Sequence, residues 1–236
     1  MTGWMSRVRH RGSDAETGIT LVEMVVTIFL TLVILGTTGT TMVLGLRGSR
    51  TSMLRTQNTQ DASLILERIT KPLRMAIRPL ADPSTAPFVT GGSPATGTGT
   101  DVTFYAAINT IVGSSAPAGP AKYRFYLNTT TGDLVEQVTP VTVSGGNFSW
   151  PSNTTATYTI GRGLTVPQKI FTYCDENYDQ TKEDIGPLDA TEASTVDSVA
   201  LRLSVEKPST PDVPATVLQN RVNLPNHSAT FVPPTG

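Results

Sequence analysis

Residues 18–23 read GITLVE, and residues 24–46 continue as MVVTIFLTLVILGTTGTTMVLGL without a charged side chain. At about 1.5 Å of rise per helical residue, this uncharged run extends for about 34 Å, more than the roughly 30 Å of a bilayer's hydrocarbon core. The run therefore predicts a helix that crosses a membrane, and we call residues 24–46 the apolar segment.

Glu23 lies at the start of the apolar segment, and no Lys or Arg lies within two helical turns of it. A carboxylate close to hydrocarbon costs about 2.5 to 3.5 kcal/mol on insertion scales, so it normally has a partner or a task. Cleavage just after Gly18 would supply a partner, because the new α-amino group of Ile19 would lie near Glu23. A second subunit is the other source of a cation.

The combination of Gly18, Ile19 and Glu23 before a long apolar helix resembles the processing site of type IV prepilins and pseudopilins. In that family a prepilin peptidase cuts after the glycine, the new first residue is N-methylated, and the glutamate is the fifth residue of the mature chain. The resemblance implies cleavage between Gly18 and Ile19 and methylation of Ile19. For Glu23 it implies a role in subunit assembly.

Two other interpretations of the N-terminus remain open. In the first, the apolar segment is a simple signal anchor and Glu23 is incidental. In the second, the chain starts with a secretory signal peptide cut near the small residues 36–39. Against the second, the apolar pattern resumes at residues 42–46, and Glu23 would lie inside the apolar part of the signal.

The composition limits the function classes. Of the 236 residues, a leader of 18 would leave 218, enough for the membrane helix and one extracytoplasmic domain. A formal net charge of -1 excludes a molecule-wide basic field for nucleic acid. Cys174 is the only cysteine and His10 and His227 the only histidines, so we expect no disulfide within the chain, no zinc site and no cofactor.

Charge alone does not decide the topology, because three arginines precede the apolar segment and three follow it. They are Arg7, Arg9 and Arg11, then Arg47, Arg50 and Arg55. The prepilin resemblance implies an answer, since its peptidase acts on the cytoplasmic side. It implies a single-pass protein of the cytoplasmic membrane with residues 1–18 inside, later part of a cell-surface or periplasmic filament.

Residues 47–80 predict an amphipathic continuation of the membrane helix of residues 19–46. Apolar residues recur there every three or four positions, on one face that we expect to pack against a sheet. They are Ile65, Ile69, Leu73, Ala76 and Leu80. Pro72 lacks a backbone donor and clashes with the preceding turn, so we expect a kink or break at residues 68–71.

Residues 81–236 predict a β-rich head domain. Period-two alternation indicates strands at residues 102–108, 122–127 and 199–205, and a hairpin turn at residues 131–133 indicates a partner strand at residues 134–138. Further strand candidates are residues 156–160, 170–173 and 216–224. A long helix on an antiparallel sheet is an α+β arrangement and agrees with the pilin fold. The order of these elements resembles the larger minor pilins and J-type pseudopilins.

Few residues of the predicted head domain suggest chemistry. Asp175, Asn177 and Asp179 resemble the start of a calcium loop, but Gln180 and Gly186 stand where an EF-hand needs glycine and glutamate. We expect a solvated acidic loop there, with calcium as the alternative. Cys174 has no adjacent base, so we expect it to be packed in the interior and predict no enzymatic activity.

The basic residues of the long helix allow contact with lipid headgroups or nucleic acid, although a solvated helix face explains them as well. From the resemblance, the expected partners are prepilin peptidase, other minor and major pilins, the membrane assembly platform and membrane lipid. The sequence thus predicts a minor pilin or pseudopilin that primes or caps a filament. The alternative is a single-pass, membrane-anchored binding protein that does not polymerise.

Overall fold

The computed structural model describes residues 20–79, 86–90, 97–108, 119–144, 147–175, 188–206, 214–226 and 228–229. The chain divides into two compact units, residues 1–50 and residues 51–236, and each is described by itself. The described part of the first unit is helical. The second unit contains the rest of the helix and the antiparallel strands, so the chain has the α+β composition that the sequence predicts.

Helix α1 spans Leu21–Arg74 and has 54 residues. The prediction that it extends to Leu80 is wrong, because the chain leaves the helix six residues earlier. There the Met75 and Ala76 N–H groups donate to the carbonyls of Pro72 and Leu73, which closes tight turns. Ala76 then forms a β-bridge with Ala106, so the residues expected to end the helix lie beside a strand instead.

Pro72 does not break α1 where the sequence predicts a break. Residues 68–71 are helical, and Pro72 lies in the last turn with its side chain buried. Pro72 lacks the N–H that would donate to the Arg68 carbonyl, yet only Leu73 and Arg74 of the helix follow it. Lys71 and Arg74 lie in the same turn, where cations interact favourably with the helix dipole.

The predicted apolar face of α1 is confirmed in the second unit. Ile65, Ile69 and Leu73 are buried in the hydrophobic core, as is Ala76 just beyond the helix end, whereas Leu80 lies outside the described residues. The fit against the sheet is close, because a Cβ atom at Gly161 would lie 2.6 Å from the Ile65 side chain. Each fully buried aliphatic side chain of this kind contributes about 1.5 to 3 kcal/mol.

The largest sheet of the second unit has four antiparallel strands. They are β1 (Asp101–Ala106), β2 (Ala121–Asn128), β3 (Asp133–Thr139) and β6 (Ala156–Gly161), adjacent in that order. The predicted hairpin is confirmed: β2 pairs with β3 from Lys122↔Thr139 to Asn128↔Asp133. Its turn contains Gly132 with φ of 71°, a conformation that glycine adopts without strain.

The described residues form two further antiparallel sheets. Strands β4 (Thr142–Ser144) and β5 (Asn147–Ser149) form a short hairpin. A three-stranded sheet contains β7 (Phe171–Cys174), β8 (Ser198–Val205) and β9 (Thr216–Asn223), close to the predicted strands. The sequence predicts no strand between residues 138 and 156, so the β4–β5 hairpin is an element that it does not predict.

Two short helical elements are also not predicted from the sequence. One is a 3₁₀ turn at Ser152–Thr154, and the other is α2 at Ala190–Thr195. The α2 helix starts with a capping box: Asp189 accepts from the Glu192 N–H at 2.7 Å, and the Glu192 carboxylate accepts from the Asp189 N–H at 3.0 Å.

Candidate membrane and assembly segment

The helix starts at a polar cap next to the predicted processing site. The Glu23 N–H donates to the Thr20 hydroxyl at 3.3 Å, so Thr20 satisfies one of the backbone donors that a helix N-terminus leaves free. Helix α1 begins at Leu21. Gly18 and Ile19, the two residues of the predicted cleavage, lie outside the described residues.

Glu23 lies in the first turn of α1 with its side chain exposed. Within the described residues, its carboxylate forms neither a hydrogen bond nor an ion pair. The next cation along the helix is Arg47, which at about 1.5 Å per residue is about 36 Å away. A cation for Glu23 must therefore come from the chain before Thr20, from lipid or from another molecule.

The apolar segment presents large apolar side chains around its whole circumference. Its Val, Leu, Ile, Met and Phe residues are between 47% and 66% exposed. The helix contains an 18-residue window of mean hydropathy 2.2 with no buried residue, and its length and composition suffice to cross a membrane. An apolar surface of this extent is larger than the patches that soluble monomers expose.

Five of the six threonine side chains of the apolar segment, all except Thr38, form a hydrogen bond within the helix. Five threonine hydroxyls donate to backbone carbonyls one turn earlier, which removes unpaired donors from the helix surface. The bonds are Thr27 to Glu23 (2.6 Å), Thr31 to Thr27 (2.7 Å), Thr37 to Val33 (3.1 Å), Thr40 to Gly36 (3.1 Å) and Thr41 to Thr37 (2.7 Å). These five threonines are thus compatible with hydrocarbon, where each unsatisfied polar group would cost several kcal/mol.

The other residues proposed for chemistry fall in the second unit. Cys174 is buried, as predicted, and its thiol lies 3.9 Å from the Thr172 carbonyl. Burial raises the pKa of this thiol, which lowers its fraction of reactive thiolate. Asp175 is described, but the rest of the predicted calcium loop, residues 176–187, lies outside the described residues. Elsewhere in the described ranges, no three His, Cys, Asp or Glu side chains form a group suited to a metal.

Two ion pairs of the second unit are not predicted from the sequence. The Arg68 Nε donates to the buried Glu136 carboxylate at 2.9 Å, which joins α1 to β3. The Arg124 Nε donates to Asp101 at 3.1 Å, between β2 and β1. Burial raises the pKa of the Asp101 carboxyl, while the hydrogen bond and charge of Arg124 act in the opposite direction.

No protein-family model and no curated protein matches this chain. The functional interpretation therefore depends on the residues themselves, above all on the spacing of Gly18 and Glu23 before the exposed apolar helix.

Proposed function

We propose that this chain is a minor pilin or pseudopilin, a structural subunit that primes or caps a type IV pilus-like filament. The observation that carries the proposal is a glycine followed five residues later by Glu23, at the head of an exposed apolar helix. The packing of the second half of α1 against an antiparallel sheet supports the same assignment.

In this proposal the chain is inserted in the cytoplasmic membrane with its N-terminus inside. Prepilin peptidase cuts between Gly18 and Ile19, and Ile19 is N-methylated. The assembly platform then moves the helix from lipid into a filament, where other pilins replace lipid around the apolar segment. The work is mechanical, and the chain is a substrate of enzymes without catalysis of its own.

Glu23 has a specific task in this scheme. Its carboxylate neutralises the α-ammonium of Ile19 in an adjacent subunit as the helices pack together. In a low-dielectric filament core a matched pair of charges is far less costly than a single charge, so the pair fixes the axial register between subunits. The exposure of Glu23 and its lack of a cation among the described residues support this role.

The amino-acid composition of the second unit favours a minor rather than a major subunit. The sequence of the head contains long segments rich in Pro, Gly, Ser and Thr, such as residues 83–100, which connect α1 to β1. A head of this composition suits a tip or priming position better than a shaft in which one contact repeats many times.

Intact-mass spectrometry tests the proposal. The protein is expressed in cells with prepilin peptidase, and a Gly18→Val variant is prepared beside it. We expect a chain that begins at Ile19, heavier by about 14 Da if methylated, and an uncut variant, because a side chain at the scissile glycine blocks close approach of the peptidase.

The other outcomes contradict the proposal in distinct ways. A chain that keeps Met1 in both samples indicates the alternative function, a membrane-anchored binding protein that does not polymerise. A new N-terminus beyond Thr38 indicates a secreted protein released by signal peptidase.

Glu23 is tested by co-assembly. A Glu23→Ala variant is expected to be cut normally but to enter filaments poorly, because the partner's α-ammonium loses its anion. Glu206→Ala, which removes an exposed acid of the second unit, is the matched control. Equal incorporation of both variants would contradict the assembly role.

A further inference from the structure

Two strands of the second unit lie at the edges of their sheets. Among the described residues, β6 is paired only with β3, and β9 only with β8. Neither strand contains a lysine or a proline, and residues 156–159 and 217–219 carry no charge. Edges without such residues are templates for a further strand. We call residues 156–159, which precede an irregularity in the pairing with β3, the β6 edge, and residues 217–219 the β9 edge.

The hydrogen bonds of the four-stranded sheet show which residues of β6 face outward. At the opposite edge of this sheet, Tyr105 donates to the Pro87 carbonyl and accepts from the Ile77 N–H, so its backbone faces away from β2. In antiparallel strands the two sides alternate from one residue to the next, and the register of the four strands carries this alternation to β6. The backbone groups of Thr157 and Thr159 therefore face away from β3.

The β9 edge has the same property. Arg202, the residue of β8 opposite Gln219, donates to the Ile170 carbonyl at 2.9 Å on the side away from β9. The backbone groups of Gln219, and of Val217 two residues earlier, therefore face away from β8. In the described part of the chain, no backbone hydrogen bond from outside the sheet reaches these residues or the β6 edge.

The two edges lie on opposite flanks of α1. On one flank, Arg68 binds Glu136, which is the neighbour of Tyr158 in β6. On the other flank, the Asn220 amide of β9 donates to the Thr70 hydroxyl at 3.4 Å. Positions 68 and 70 are about 200° apart around a helix. A copy docked on one flank therefore leaves the other flank open to a third copy.

The β6 edge runs towards the N-terminus of α1. Tyr158 lies at the level of Arg68 along the helix, because Glu136 connects the two. At the end of β6, a Cβ atom at Gly161 would lie 2.6 Å from the Ile65 side chain. The strand thus passes from the level of residue 68 to that of residue 65.

The β9 edge runs the other way. At the start of β9, one residue of β8 separates Thr216 from Leu164, which lies beside Gly161. Four residues later, Asn220 reaches Thr70. Strand β9 thus passes from the level of Gly161 towards the C-terminus of α1.

We propose that the β6 edge of one copy of this chain pairs with the β9 edge of a second copy. Two copies that stand side by side in the same orientation make these edges antiparallel. With Thr159 opposite Val217, Thr157 lies opposite Gln219. The backbone groups of all four residues face outward from their own sheets, so each of the two pairs exchanges two N–H···O hydrogen bonds.

The same register fills an apolar groove. The groove has a volume of about 870 Å³, lies beside the β9 edge, and includes Leu66, Met75 and Leu218 in its lining. Tyr158 lies on the α1 side of β6, because its neighbour Glu136 binds the helix. Its side chain is 50% exposed in one copy and comes opposite Leu218 of the second copy. A tyrosine buried in this way is the kind of residue that dominates the energetics of interfaces.

The contact is heterologous because its two edges differ, and it gives a ring or an open row of copies. Copies anchored in one membrane carry their second units on the same side of it, which favours the shared orientation. The inference rests on the proposed function for its setting, and it adds a direct contact between copies in the tip or priming assembly.

Disulfide trapping tests the contact in membranes that contain the full chain. Thr159→Cys and Val217→Cys are made in separate chains, which carry different tags and are expressed together. Opposite residues of an antiparallel pair have Cα atoms about 4.5 to 5.5 Å apart, within the range of a disulfide. Mild oxidation is expected to give a heterodimer with both tags. Each variant alone, like the wild-type chain with its buried Cys174, is expected to give no linked dimer.

A control within the same strand separates this register from random collision. Arg221 lies on the same face of β9 as Val217 and is also exposed, but it is about 13 Å further along the strand. Thr159→Cys with Arg221→Cys is expected to give at least tenfold less heterodimer. Equal yields from the two combinations, linked dimers from a single variant, or no heterodimer would overturn the proposal.

A proline at the edge provides a second readout. In the Val217→Cys chain, Gln219→Pro removes an N–H that faces away from β8, so it preserves the sheet but blocks the added strand. It is expected to lower the heterodimer yield at least tenfold, whereas Gln219→Thr is expected to retain it. Denaturant unfolding shows whether the variant is folded, and Thr157→Pro in the other chain repeats the test on the β6 edge. An unchanged yield in a folded proline variant would overturn the proposal.

The N-terminal mass is measured on the same samples. A missing heterodimer with normal cleavage counts against this contact alone. A heterodimer of chains that keep Met1 supports the contact and counts against the proposed function.

Discussion

The two halves of α1 have the same backbone conformation but opposite side-chain patterns. In the apolar segment, large apolar residues cover every face and none is buried. In the C-terminal part of α1, from residue 58 to residue 73, the large apolar residues are concentrated on one face. That face lies in the core, while the other faces carry charged residues. The conformation of a helix thus says little about its surroundings, whereas the angular distribution of its apolar residues predicts whether lipid or a sheet covers it.

The largest expected difference between the two halves comes from the removal of an isoleucine. Ile69 is completely buried, whereas Ile34 is 63% exposed. Ile69→Ala should lower the free energy of unfolding of the second unit by about 2 to 5 kcal/mol, because it leaves a cavity in the core. Ile34→Ala should leave it unchanged. Denaturant unfolding in detergent, followed by Trp150 fluorescence, measures both, and equal losses would contradict the comparison.

A charge substitution tests which solvent each half faces. Leu35 and Leu64 are almost equally exposed, at 62% and 65%, but we expect lipid around the first and water around the second. Leu35→Arg should make membrane insertion less favourable by about 2.5 to 3.5 kcal/mol. Leu64→Arg should not change it. An insertion assay on the full chain measures the difference, and an equal response of the two variants would refute the assignment of the apolar segment to a membrane.

Two glutamates extend the comparison to charge. Glu136 is buried and paired with Arg68, whose side chain is 56% exposed, whereas Glu23 is exposed without a cation among the described residues. Arg68→Ala should lower the free energy of unfolding of the second unit by about 1 to 3 kcal/mol, because it leaves a buried carboxylate unpaired and water screens the pair only on the arginine side.

Glu23→Gln is the matched control for this pair and should leave the unfolding free energy of the second unit unchanged. The same unfolding measurement compares the two variants. If Arg68→Ala does not change the free energy of unfolding, the ion pair between α1 and β3 does not stabilise the second unit.

The elements that the sequence predicts well are those in which burial repeats with a local period. Ile65, Ile69 and Leu73 recur at helical spacing, and the alternation in β2 and β8 matches the buried positions of those strands. One-sided burial leaves such a period in the sequence because a helix repeats every 3.6 residues and a strand every two. Local sequence is then sufficient to place the element.

The features that the sequence does not predict depend on distant contacts. The end of α1 at Arg74 is set by β1, since Ile77 donates to the Tyr105 carbonyl instead of continuing the helix. The burial of Glu136 depends on Arg68, 68 residues earlier in the chain. The α2 helix is different, because the acidic residues of its capping box, Asp189 and Glu192, are a local signal that could have revealed it.

The candidate functional surfaces show the same contrast between local sequence patterns and contacts between distant residues. The spacing of Gly18 and Glu23 and the length of the apolar segment are properties of the sequence alone, so the sequence could identify them. The groove beside β9 could not be predicted, because Leu66, Ile108 and Leu218 come from three separate parts of the chain. A surface assembled from distant residues has no local pattern.

The smallest expected effect concerns the N-terminal end of α1, just before the apolar segment. Thr20 caps the N-terminus of α1, because its hydroxyl accepts a hydrogen bond from the Glu23 N–H. Thr20→Ala should destabilise the first turn by about 0.5 to 2 kcal/mol, because it leaves that donor unpaired, while Thr20→Ser should keep the cap. Hydrogen exchange at the Glu23 amide, measured in micelles, should accelerate in the alanine variant only. Equal exchange in the alanine and serine variants would mean that the helix start does not depend on Thr20, and that water or the residues before it satisfy the first turn.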